Sequence, residues 1–191
     1  MLFHVVSNKH QETQLRELER LHEASFESSD NFSELLVKFV QKHRDKDRPY
    51  YIDKISDAVR HIIYSFKEYE AEPDDYKNMV ERDYTMMLSF FFNANAFIHI
   101  IKDCELKDKV LIDNSLFYSI KFFRDCFAHQ YEKELIKGGD KYYIPYIKQR
   151  AMAMLDILEI CDPKSGKNVY EVNFSLRYFY VSLKNIFEKL V

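Results

Sequence analysis

Between Tyr84 and Ile101 the chain runs for 18 residues without a formal charge. Met87, Phe90, Phe91, Ala94, Phe97, Ile98 and Ile101, with Met79 upstream, recur at three and four and span too wide a face for a surface helix. The stretch approaches the length of a membrane span. Ser89, Asn93, Asn95 and His99 interrupt it, and each would be costly in lipid without a partner. The segment predicts the central helix of a helical bundle.

The rest of the chain agrees with that placement. Only 3 Gly and 4 Pro among 191 residues leave little room for the turns of a β-sandwich or barrel, so the expected fold class is all-α. The length suits one globular unit. Periodicity predicts a first helix over about Gln11 to Phe26 and a second over Phe32 to Lys42 after an Asp30/Asn31 cap. A third carries Ile55, Val59, Ile62, Ile63 and Phe66, and a fourth opens at Pro73. The fifth starts near Lys109 and stops at Gly138-Gly139, with Leu116, Ile120, Phe123 and Phe127 along its core face. A sixth follows Pro145, and Val169 to Leu190 forms the last. Residues 1–48 read as an N-terminal helical extension packed on a bundle of about five core helices over residues 49–191.

Composition excludes several functions. Cys104, Cys126 and Cys161 lie far apart without a CxxC pair, so neither a zinc site nor a disulfide framework is expected, and a reducing cytoplasm suits them. Met1 to Val6 lacks a long apolar signal region, which predicts a chain that stays inside the cell and off the membrane. A net charge of -3 argues against non-specific coating of nucleic acid. Residues 121–150 nevertheless form a basic island, with Lys121, Arg124, Lys133, Lys137, Lys141, Lys148 and Arg150 against Asp125, Glu132, Glu134 and Asp140.

Within that island stands Arg124-Asp125-Cys126-Phe127-Ala128-His129-Gln130-Tyr131. Arginine and histidine with four to six residues between them occur about once by chance in such a chain, and Arg16 to His22 is such a copy, on an amphipathic surface helix. Requiring a small polar residue or histidine after the arginine, and tyrosine two beyond the histidine, lowers the chance expectation to roughly 0.01. The eight residues fit the R-x4-H-x-Y motif, and the chain therefore resembles HEPN-domain endoribonucleases and their HepT-like toxins. The resemblance is confined to these eight residues. It implies an all-helical HEPN-like domain over residues 49–191, while the two N-terminal helices are an addition to it.

The residue types suit metal-independent RNA cleavage, in which the substrate supplies its own nucleophile and no cofactor is needed. His129 is the motif group with an ordinary pKa near neutrality, suited to moving the 2′-OH proton. Arg124 offers a planar, permanently charged fork for the phosphorane. Asp125 lies four residues before His129, where its carboxylate can hold the imidazole. Arg124 and His129 diverge by about 140° on a regular helix, so either local irregularity or a second copy must focus them. The resemblance implies the second: an isologous homodimer with a composite active site, leaving a 2′,3′-cyclic phosphate. It also implies two roles for Tyr131, as an RNA contact or as the residue AMPylated by a partner nucleotidyltransferase antitoxin. Lys121, Lys141 and Tyr142 are further RNA-contact candidates, the last two in an aromatic and basic run from Lys141 to Lys148.

Other signals lack their surroundings. Glu19 and His22 make one E-x-x-H where a di-iron bundle needs two, and Lys164-Ser165-Gly166-Lys167 lacks the upstream glycine of a phosphate loop. The expectation is an RNA-cleaving toxin or antiviral defence effector. The alternative is a HEPN-like helical module that binds RNA or a partner protein without cutting.

Overall fold

The computed structural model describes residues 2–5, 12–44, 49–71, 79–128, 144–149, 155–161 and 168–191. Helix dominates it. Among the described residues the α-helices are α1 (Glu12–Ser25), α2 (Phe32–Lys42), α3 (Tyr50–Glu70), α4 (Met79–Asp103), α5 (Asn114–Ala128) and α6 (Leu176–Glu188), with a 3-10 turn at Glu105–Lys109 before α5. The strands are β1 (His4–Val5), β2 (Ile144–Gln149), β3 (Asp156–Cys161) and β4 (Asn168–Phe174). Pro49 ends in an extended conformation directly before α3, where its missing N–H costs nothing. Asn31 precedes α2 as expected, but its side chain makes no cap hydrogen bond.

The uncharged stretch is the centre of the molecule. Arg82–Asp103 is long and apolar enough to cross a membrane by length and composition alone. Here, however, Met87, Phe90, Phe91, Ala94, Phe97, Ile98 and Ile101 are all fully buried. Phe91 stacks on Phe123 of α5 at 4.8 Å and meets Phe179 of α6 edge-on at 5.5 Å, while Phe97 packs against Phe187. Offset and edge-on geometries satisfy the ring quadrupoles, and each large ring removes 150–250 Å² or so from water. The N-terminal segment belongs to the same core: Phe3, Phe32, Leu35 and Phe39 are buried in it, with Phe32 and Phe39 against Phe187.

Two helix assignments are corrected. The segment after Pro145 is strand β2, and Val169 to Phe174 belongs to strand β4, so the last helix begins only at Leu176. The four strands form one antiparallel sheet in the order β1-β4-β3-β2. Pro145 suits it because β2 is an edge strand, where a residue without N–H need not donate. In β4, Tyr170, Val172 and Phe174 alternate with Glu171 and Asn173, and Val172 and Phe174 are fully buried. Alternation of this kind marks a strand with one face on the core. The sheet lies outside the all-helical bundle that the motif resemblance implied.

A polar joint fixes α6 to this sheet. Asp156 of β3, buried, accepts from the Tyr69 hydroxyl at 2.6 Å and from the Leu176 backbone N–H at 2.8 Å. Ser175 caps the same helix by accepting from the Tyr178 N–H at 3.0 Å. Two orphan donors of the first turn are thus satisfied by a carboxyl oxygen and a hydroxyl. The Ser175 hydroxyl also shares a 2.7 Å hydrogen bond with His22 Nδ1. Ser175 is fully enclosed, so this serine and histidine form a structural contact with no route to a substrate. Arg16 and Arg20 of α1 face solvent beside Glu12 and Glu17, as their amphipathic pattern predicted.

Candidate functional site

Helix α5 presents its motif because of where its apolar residues fall. Leu116, Ile120, Phe123 and Phe127 are buried at three- and four-residue steps. Arg124 and Asp125 therefore stand on the border of the buried stripe, 29 % and 38 % exposed. Lys121, one turn earlier, is exposed. His129, Tyr131, Lys141 and Tyr142 lie outside the described residues.

Arg124 and Asp125 are joined to each other. Arg124 Nε donates to Asp125 Oδ1 at 2.8 Å, and Arg124 Nη2 donates to the same oxygen. Sequence spacing assigned Asp125 to His129, whereas in the structure one of its oxygens is taken by the neighbouring guanidinium. An ion pair this exposed contributes only about 0.2–1 kcal/mol. An incoming phosphate offers the same guanidinium a bidentate, charge-assisted contact and competes effectively with Asp125.

Cys126 has a different environment from its neighbours. Burial, reinforced by the adjacent Asp125 carboxylate, pushes its thiol up to about 12. A thiol held protonated at neutral pH is not a nucleophile. Cys126 is packing material against the core.

The residue that sequence reasoning missed is Tyr84. Its hydroxyl donates to the carbonyl oxygen of Phe127, and its ring meets that of Phe127 edge-on at 5.4 Å. The contact ties α4 to α5 beside the motif across 43 positions of sequence. Next to it Asp83 is a buried carboxylate, 2 % exposed, with Arg82 Nη2 at 3.4 Å. Arg82 also donates to the Ala71 carbonyl at 3.1 Å. No helical spacing links these residues to Arg124. Tyr84 reaches the last turn of α5 because α4 and α5 run antiparallel, pairing Tyr84 with Phe127, Phe91 with Phe123, and His99 with Phe117.

The arrangement supplies a cation for an anionic group on a half-exposed helix border, backed by a rigid aromatic core. No protein-family model, curated protein or solved structure matches this chain.

Proposed function

We propose that this chain is a metal-independent endoribonuclease of the HEPN type, acting as a toxin or defence effector in the cytoplasm. The R-x4-H-x-Y motif carries the reading. The observation that supports it best is the state of Arg124: partly exposed beside the motif's core-facing rings, with the next residue, Asp125, as its hydrogen-bond partner among the described residues. A guanidinium used only as structural cement would be expected to bridge two helices, as the half-buried Arg177 of α6 does to Glu70 of α3 at 2.8 Å.

In this reaction His129 takes the 2′-OH proton, the freed oxygen bonds to phosphorus, and the P–O5′ bond breaks. The leaving 5′-oxygen receives a proton, from the second His129 if two copies form one cleft. Arg124 neutralises the equatorial oxygens of the phosphorane. The products are a 2′,3′-cyclic phosphate and a 5′-hydroxyl. Tyr131 contacts RNA or accepts a nucleotide from an antitoxin.

The test is incubation of wild type and His129→Ala with tRNA and total RNA in EDTA, followed by mapping of new ends. Cleavage by wild type alone, with cyclic phosphate ends, is the expected result. Cleavage by both proteins, or by neither across varied RNAs, removes the reading. A non-catalytic HEPN-like module is the second reading, favoured by the engagement of Asp125 by Arg124, which takes one carboxylate oxygen away from any histidine.

A further inference from the structure

The last turn of α5 is held from outside its own helix. In a continued helix each carbonyl accepts from the N–H four residues on, so the ladder donor to the Phe127 carbonyl would be the Tyr131 N–H. The structure gives that carbonyl a donor from another element, the Tyr84 hydroxyl of α4.

The other contacts between these two helices run ring to ring. Phe91 stacks on Phe123 and on Phe127, and His99 meets Phe117 edge-on. Such contacts hold two helices together and leave their ladders alone. The Tyr84 hydroxyl differs, because it engages the backbone of α5 itself. Its aim is fixed by its ring, which is half-buried against the core and meets the Phe127 ring edge-on at 5.4 Å.

A carbonyl drawn toward an outside donor tilts away from the helix axis, and its ladder bond lengthens. Helices bend where a side chain enters the ladder in this way. The turn that starts at Phe127 contains His129 in sequence. A regular helix would leave His129 about 140° around from Arg124. The hydroxyl acts between them, three residues after Arg124 and two before His129.

We propose that Tyr84 is a positioning residue, whose hydroxyl sets the direction in which the chain leaves Phe127 toward His129. The inference rests on the ribonuclease reading and adds to it a residue outside the motif. Tyr84 touches no substrate in this role and acts through the backbone. Arg124 is seated separately, between the buried rings of Phe123 and Phe127 in sequence and hydrogen-bonded to Asp125. Removing the hydroxyl therefore leaves the phosphate clamp in place and misplaces the proton-transfer group. The loss falls on kcat, and KM is kept.

The experiment compares wild type, Tyr84→Phe and Tyr84→4-aminophenylalanine by cleavage of RNA in EDTA and by amide hydrogen exchange. Cleavage is measured well below the melting temperature of all three proteins. Tyr84→Phe should lower kcat at least tenfold with KM within about twofold, since a displacement of about 1 Å can cost about a hundredfold. The amine of 4-aminophenylalanine donates from the place of the hydroxyl and should restore most of kcat. Exchange over residues 128–132 should quicken about fivefold in Tyr84→Phe, the scale of one lost hydrogen bond. The buried positions of α3 should exchange as in wild type.

Unchanged kcat in Tyr84→Phe, or a fall that the amine does not restore, overturns the proposal. So does exchange that quickens equally in α3, which reports general loosening. The two ideas fail separately. If no protein cuts RNA, yet exchange quickens over 128–132 alone and the amine slows it again, the ribonuclease falls and the hold of Tyr84 on this turn stands. If wild type cuts RNA and Tyr84→Phe matches it, the ribonuclease stands and the positioning role falls.

Discussion

The Tyr84 hydroxyl donates a hydrogen bond to the Phe127 carbonyl, joining the start of the central helix to the motif end of α5. The contact seats the last turn of α5 against α4. Tyr84→Phe keeps the ring against Phe127 and removes only the hydroxyl. The loss should be about 1 kcal/mol, or about 3 °C in Tm for a chain of this size. If the motif cleaves RNA, kcat should fall more than KM changes, because the substrate contacts are untouched. An unchanged Tm would mean that the hydroxyl contact does not hold the helix end.

Arg124 should separate stability from function. Its pair with Asp125 is exposed, so Arg124→Ala should change unfolding free energy by no more than about 0.5 kcal/mol. If the chain cleaves RNA, that activity should fall by a factor of roughly 100 or more, the scale of losing a transition-state donor. Arg124→Lys should recover little of it, since an ammonium lacks the planar fork. Full activity in the lysine variant would count against phosphate clamping.

Asp156 should behave in the opposite way. It receives the Tyr69 hydroxyl and the Leu176 N–H while buried, so Asp156→Ala removes the shared acceptor of two donors. The expected cost is about 3 kcal/mol, measured by urea denaturation. Tyr69→Phe should cost less, and the double variant should lose less than the sum of the two, because both changes remove one shared contact. Strict additivity would deny that contact.

Cys126 sets an alkaline limit. Its folded thiol is raised from an ordinary 9.0 to about 12 by burial and then by Asp125, so the folded state holds the proton more tightly than the unfolded chain. The contribution is complete below 9.0 and is lost as pH climbs from there toward about 12. Tyr180, raised chiefly by burial and by its hydrogen bond to Asp30, acts in the same direction. Melting temperature should therefore decline above about pH 9, and less steeply in Cys126→Ala. Iodoacetamide at about pH 8 should label Cys126 only after denaturation.

What could be read along the chain was whatever depends on neighbours three and four residues apart. The bounds of α2, the core face of α5 and the burial of α4 all follow from spacing, because a helix satisfies its backbone locally and needs only one apolar stripe to be seated. The border positions of Arg124 and Asp125 follow from the same stripe. Short apolar runs carry no such signature: Ile144 to Gln149 and Asp156 to Cys161 suit helix or strand equally, and Pro145 can open one or sit on the edge of the other. The alternation of Tyr170, Val172 and Phe174 was the available strand signal, and it was absorbed into the periodicity of the helix that follows. Sequence alone thus determined the helical core and the place of Arg124 and Asp125 on its border. Tertiary structure decided the sheet, the caps that Asp156 and Ser175 place on α6, and the pairing of Tyr84 with Phe127. Each joins groups distant in sequence, and pairings of that kind depend on how whole elements pack.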